Sequence, residues 1–326
     1  MTNLLILKEA DVAAVLTAGD ALSAVERALR AQAERKTINP LRAAVVGPNG
    51  LLGSMPGAIM SDPASIGAKL VTFFPGNAQR DQHTHQALIA LFDLQDGRPL
   101  ALMDGRLITE IRTAAVSALA TRALARSGAK SAAIVGTGVQ ARAHAHALPL
   151  VMELEELRIW GRNRLRAESL ARELRDQGLA ARATDTPQAA CENADVICTV
   201  TSSSEPVLTS RDVAAGAHIN AVGACTPRMR ELPADLMAQA SIFVDSIEGA
   251  LHEAGDITQA IAEGVLPPTP RLTLLADVVG GKTLGRATPD EITLFKSLGI
   301  AIEDLACATA VYERANGRGL GTTIDL

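Results

Sequence analysis

The chain's 326 residues leave room for two domains with a substantial core, and 31 Lys and Arg against 36 Asp and Glu make its net charge −5. That modest negative charge, with aromatics at only 2%, argues against the phosphate-tracking surfaces and base-stacking platforms of nucleic-acid binders. No apolar run approaches the roughly 20 residues of a membrane span, the four cysteines form no CxxC pair, and residues 1–9 lack a signal peptide's basic region, so a cytoplasmic protein with reduced thiols and no metal site is expected.

Residues 20–36 read as an amphipathic helix: Leu22, Val25, Ala28, Leu29 and Gln32 recur at helical spacing, and Glu26 and Arg30 make an i,i+4 pair. Asn39-Pro40 ends it. A strand is expected over 41–46, turned at Gly47-Pro48-Asn49-Gly50, with further strands over 51–55, 66–74, 85–92 and 100–103. This part of the chain is β-rich and carries no βαβ repeat. Thr109 then stands as the cap of a long alanine-rich helix running through Arg126 and stopped by Ser127-Gly128.

Ser131-Ala-Ala-Ile-Val135 reads as a short buried strand, and Gly136-Thr-Gly138-Val139-Gln140-Ala141 as the turn into a helix. Gly136 suits the tight turn, Gly138 the close approach of backbone to a pyrophosphate, and Ala141 the third, close-packing position of a dinucleotide fingerprint. Amides at the helix start would face the phosphates. A GxGxxA run means little by itself; closing a strand and opening a helix is the context that gives it meaning. Strand and helix then alternate, with strands over 157–160, 195–200, 218–222, 241–245 and 292–297, a helix over 165–177, and a final helix over 300–316. The pattern predicts an α/β protein. A doubly wound Rossmann domain over 119–298 is joined to a discontinuous α+β domain made of 1–118 and 299–326.

An NAD site places an acidic residue after the second strand. Here that strand runs into Gly161-Arg162-Asn163-Arg164, with two guanidiniums and no carboxylate, which suits a 2′-phosphate and hence NADPH, with NADH still open. Two solvated arginines at a helix start would look the same. Three cations in the first half are oddly placed: Arg42 and Lys69 in apolar strands, and Arg112 early in the long helix. Singly, each is also what a snorkelling or ion-paired side chain looks like. Together, near a nicotinamide, they could clamp a carboxylate, and a lysine beside two guanidiniums can have a lowered pKa and move a proton.

With these residues in view, together with Met55-Pro56, Gly67-Ala-Lys69-Leu-Val-Thr, Arg112-Thr113-Ala-Ala, Gly136-x-Gly-Val-Gln140, Asn220-Ala-Val-Gly223-Ala, Glu253-x-Gly255-Asp256, Phe295-Lys-Ser297-Leu-Gly299 and Glu303-Asp304, the chain resembles the ornithine cyclodeaminase/μ-crystallin family nearly end to end. The resemblance implies a homodimer formed by the β-rich substrate domain. It places carboxylate binding on Arg42, Lys69 and Arg112, and brings Arg112, Thr84 and His85 near the cofactor's nicotinamide half. Thr199, Thr201, Val222 and Ser297 would line the cofactor, and Glu253 would face the substrate.

The family's cyclodeaminases carry an Asp shortly after the fifth strand's Val-Gly and a Glu three residues before the Met-Pro proline; this chain has Gly223-Ala-Cys225-Thr226 and Gly53 there. Those losses remove the groups that would hold a cationic ornithine and leave a site suited to a small carboxylated cyclic imine. The implied activity is NAD(P)H reduction of Δ1-pyrroline-2-carboxylate to L-proline, or of the six-membered analogue to L-pipecolate. Cyclodeamination or dehydrogenation of an amino acid, and NADPH-dependent binding of a small ligand without catalysis, are the other activities the resemblance allows.

Overall fold

Alternating buried and exposed positions build the first sheet, and near-continuous buried apolar runs build the second. This computed structural model describes residues 3–80 and 82–326; Met1 and Thr2, part of the stretch read against a signal peptide, and Asp81 lie outside the described residues. The chain divides into two units, Met1–Arg112 with Gly299–Leu326, and Thr113–Leu298.

The first unit holds β1 (Asn3–Leu7), β2 (Thr37–Ile38), β3 (Ala43–Val46), β4 (Leu51–Ile59), β5 (Ser65–Phe73), β6 (His85–Phe92) and β7 (Pro99–Asp104), and takes back β16 (Thr322–Asp325) from the end of the chain. Its sheet runs β16-β1-β7-β6-β5-β4-β2, with β3 also paired to β4, and only the β1–β7 pair is parallel among the described residues. Lys69, Ile89 and Leu91 point to one face, which the helix Ala301–Arg318 covers. Two glycines let that helix come close. A Cβ on Gly57 would lie 2.9 Å from the Ala301 Cβ, and one on Gly67 would lie 2.9 Å from Leu305 Cδ2.

The second unit holds β8 (Ser131–Val135), β9 (Glu156–Trp160), β10 (Ala181–Ala183), β11 (Val196–Thr199), β12 (His218–Ala221), β13 (Ser241–Val244), β14 (Leu272–Leu274) and β15 (Thr293–Lys296). All pair in parallel, in the order β10-β9-β8-β11-β12-β15-β13-β14. Strand order reverses between β8 and β11, the switch point beside which doubly wound sheets bind ligands. Apolar clusters lie on both faces of this sheet, as buried parallel strands require.

Local physics moved several boundaries. The first long helix runs Ala18–Ala33 instead of 20–36, because Thr17 caps it and forms a capping box with Asp20. The strand expected over 41–46 starts at Ala43, which leaves Arg42 in the loop after Pro40. Thr109 does not cap the long alanine-rich helix, here called the linking helix, which runs Arg106–Leu124. Asp104 Oδ1 accepts from the Leu107 amide, and Thr109 Oγ1 donates back to the Gly105 carbonyl inside the helix. The strand expected over 292–297 inserts between β12 and β13.

Candidate active site

Arg42, Lys69 and Arg112, far apart in sequence, meet in the first unit around the start of the helix Ala301–Arg318. Lys69 Nζ lies 2.6 Å from Asp304 Oδ2, and Arg112 reaches Asp304 Oδ1 through Nε and Glu303 Oε2 through Nη1, each at 2.8 Å. Arg42 Nη2 donates to the Gly299 carbonyl at 3.3 Å. Gly299 adopts φ +76°, and a Cβ there would sit 2.4 Å from Arg112 Nη1. Only glycine allows both the turn and the stacking of the guanidinium on the backbone.

Lys69, Arg112, Glu303 and Asp304 are buried, and three positive charges (Arg42, Lys69, Arg112) face two negative ones (Glu303, Asp304). Burial drives the Lys69 ammonium down, the Asp304 carboxylate holds it up, and Arg112 and Arg42 push it down again, to about 8. Burial pushes the Asp304 carboxyl up, but Arg112 and Lys69 outweigh it and keep it below the usual range. His85 opens β6 on the face that Lys69 shares, and Thr84 precedes it; Thr84 Oγ1 lies 3.2 Å from His85 Nδ1, and the imidazole stacks on Phe73 with ring centroids 4.6 Å apart.

The second unit presents a different chemistry. Gly136 adopts φ +139°, and a Cβ there would lie 2.8 Å from the Val200 carbonyl oxygen, so the turn closes tightly against the next loop. Gly138 is the N-cap of the helix Val139–Ala147, with no side chain capping that end and open space around its Cα. Val139 is exposed and Gln140 half-buried in the first turn. Ser297 Oγ is buried with no hydrogen-bond partner among the described residues. An uncapped helix start behind a glycine turn, at the switch point, fits the pyrophosphate of a dinucleotide, and an orphaned hydroxyl fits a polar ligand group.

Beyond β9, Asn163 caps the helix Arg164–Asp176 and Arg162 is exposed. Arg164 differs from the sequence reading: its guanidinium is paired with Glu168 at 2.8 Å and with Asp185. Val222 is buried at the end of β12, and Glu253 closes the helix Ile247–Glu253, half-buried. Thr199 and Thr201 serve a carboxylate that sequence reasoning missed. Glu231 accepts from Thr199 Oγ1 (2.9 Å), Thr201 N (2.6 Å), Thr201 Oγ1 (2.8 Å) and Gly223 N (2.6 Å).

Behind Glu231, Asp256 accepts from the Glu231 and Leu232 amides and pairs with buried Lys296 at 3.1 Å. Asn220 donates to Thr121 and so ties β12 to the linking helix. Lys296 in an apolar strand and Glu303-Asp304 in an apolar helix are sequence signals, unused in the sequence reading, that call for such partners, since a buried charge must find an opposite one. Among the described residues, no cluster of three or more His, Cys, Asp or Glu could hold a metal ion.

Residues 2–319 match the model of the ornithine cyclodeaminase/mu-crystallin family. A Δ1-pyrroline-2-carboxylate reductase of Bacillus cereus is 36% identical over 311 residues, 91% of this chain and 92% of that protein. Among solved structures, the Δ1-pyrroline-2-carboxylate reductase of Thermococcus litoralis in complex with NADH and L-proline superposes with a TM-score of 0.95, at 35% identity over 98% of this chain and 100% of that one. An archaeal alanine dehydrogenase dimer with bound NAD gives a TM-score of 0.94, at 33% identity over 99% of both chains. The chain belongs to the ornithine cyclodeaminase/mu-crystallin family.

Proposed function

We propose that this protein is an NAD(P)H-dependent reductase of cyclic ketimine carboxylates, converting Δ1-pyrroline-2-carboxylate to L-proline and its six-membered analogue to L-pipecolate. The observation that carries the reading is the convergence of Arg42, Lys69 and Arg112 around the first turn of the helix Ala301–Arg318, three cations that suit a substrate carboxylate. Its similarity to pyrroline-carboxylate reductases supports the same substrate.

The unit formed by residues 1–112 and 299–326 binds the substrate, and the unit formed by residues 113–298 binds the cofactor. Gly136, Gly138, Val139 and Gln140 hold the pyrophosphate, Arg162 a 2′-phosphate with Asn163 shaping the turn beneath it, and Val222 and Ser297 the nicotinamide half. When bound, the reduced dinucleotide supplies the hydride. Arg42 and Arg112 hold the substrate carboxylate, an orientation that lowers the barrier. Lys69 gives its proton to the imine nitrogen, and its pKa of about 8 suits donation near neutral pH.

The protein works as a homodimer. Ile66 pairs with Phe92 and Leu70 with Leu88 across β5 and β6, on the face turned away from the helix Ala301–Arg318, and all four are exposed. Four aligned exposed apolar residues are a surface that association covers.

The test follows NADPH and NADH oxidation with Δ1-pyrroline-2-carboxylate and its six-membered analogue. Turnover with either imine is expected, faster with NADPH. No turnover with either imine and either dinucleotide overturns the reading. The archaeal alanine dehydrogenase, at 33% identity, motivates the second reading, an amino-acid dehydrogenase; pyruvate with ammonia tests it in the same assay.

A further inference from the structure

Asp304 stands in the first turn of the helix Ala301–Arg318 and is fully buried. Its oxygens are divided between two cations, Oδ2 lying 2.6 Å from Lys69 Nζ and Oδ1 lying 2.8 Å from Arg112 Nε. Thr109 Oγ1, 3.5 Å from Oδ1, adds a donor from the linking helix. The close approach at Gly57 and Gly67 fixes the height of this carboxylate above β5, and a helix N-terminus favours its charge.

The titratable and charged groups around Lys69 come from four elements. Glu303, Asp304 and Cys307 stand on the C-terminal helix, Arg112 on the linking helix, Arg42 on the loop before β3, and His85 on β6. Burial and the two guanidiniums all favour a neutral amine at Lys69, and the Asp304 carboxylate opposes them from hydrogen-bond distance. An aspartate there therefore has a task beyond filling space: without it, Lys69 would stand beside Arg112 with no ion-pair partner among the described residues.

We propose that Asp304 is a positioning residue for imine reduction: by bridging Lys69 and Arg112 it keeps a charged ammonium beside the anion-binding guanidinium, ready to protonate the imine nitrogen. The inference rests on the function proposed above. In the step, one Lys69 N–H bond breaks as an N–H bond forms on the imine nitrogen. The imine carbon takes up a hydride at the expense of the reduced dinucleotide, which is oxidised, and the Lys69 amine regains a proton from water.

The experiment compares wild type, Asp304→Asn and Asp304→Glu by two readouts. One is the pH profile of kcat/KM for Δ1-pyrroline-2-carboxylate. The other is the pH dependence of calorimetric binding of pyrrole-2-carboxylate, a flat ring carboxylate, without dinucleotide. In wild type both fall as pH rises through about 8. Asp304→Asn moves both inflections down by about 1–3 pH units, the effect of an opposite charge at contact distance. Asp304→Glu keeps the charge but displaces it, so the inflection stays and kcat/KM drops by about tenfold or more.

A purely structural role would lower both readouts without moving an inflection, so a folded Asp304→Asn protein with wild-type inflections overturns the proposal. Should Asp304→Asn fail to fold, Asp304→Glu decides, and wild-type kcat/KM in that variant overturns it. Failure of the functional reading looks different: wild type then turns over no imine at any pH, and the proposal falls with it.

Discussion

Lys69 Nζ sits 2.6 Å from Asp304 Oδ2, with both side chains closed off from solvent. The pair makes stability and activity respond to alkali in opposite directions. Lys69 loses its proton near pH 8 in the folded protein and near its ordinary value of 10.5 when unfolded. The cost of burying the charged form is therefore complete below pH 8 and declines between 8 and 10.5, where the unfolded chain binds more protons. The melting temperature of wild type, measured against Lys69→Met, should rise across that window while imine reduction falls. A difference in melting temperature that stays flat from pH 8 to 10 would show that Lys69 does not titrate there.

Arg162 and Arg164 are separated by what already holds them. Arg162 is exposed, whereas Arg164 is occupied by Glu168 and Asp185. Arg162→Ala should raise KM for NADPH by roughly 10–150-fold, the equivalent of about 1.5–3 kcal/mol for one charged hydrogen-bonded contact, and leave KM for NADH within about twofold. Arg164→Ala should change neither by more than a few-fold. Equal losses with both dinucleotides would remove the 2′-phosphate from Arg162.

Glu231 satisfies four donors, one from the last residue of β11 and three from the loops that follow β11 and β12. Burial pushes its carboxyl up in pKa, against the charge of Lys296 and the Thr201 bonds. Glu231→Ala orphans those donors, and at about 1–3 kcal/mol for each unsatisfied group a loss of at least roughly 3 kcal/mol is expected. A thermal melt should then fall by roughly 6–12 °C. KM for the dinucleotide should rise as well, because both loops carry residues proposed to line it. Unchanged dinucleotide binding in a destabilised variant would confine Glu231 to a structural role.

Leu70 and Leu88 face each other across β5 and β6 on the open side of the first sheet. Replacing both with Asp places two like charges in register on that face, which opposes association. Sedimentation should show the proposed dimer giving way to a folded monomer with unchanged far-ultraviolet circular dichroism. A dimer that survives the double substitution would locate the interface elsewhere.

Several features were legible because they depend on neighbours in sequence. The strand–glycine–helix run at 131–147 and the apolar runs of β5 and β6 are local, and the structure has them within a residue or two. Arg42, Lys69 and Arg112 stood out because a cation in an apolar run must be answered by something. The boundaries that failed did so where side chains compete for backbone amides. Asp104 took the cap assigned to Thr109, and Thr17 started a helix three residues before Asp20.

By itself, the sequence determined the two-part α/β architecture, the family and the identity of the three cations, since periodicity and motif spacing are written along one chain. Tertiary structure alone decided what answers those cations. Asp304 lies 235 positions from Lys69 in sequence, and Glu231 is 30 positions from the Thr201 amide that it caps. Such pairings depend on how closely a helix settles on a sheet, here through Gly57 and Gly67, and on which buried donors remain after backbone bonds form. Those are properties of packing in three dimensions, and no local pattern encodes them.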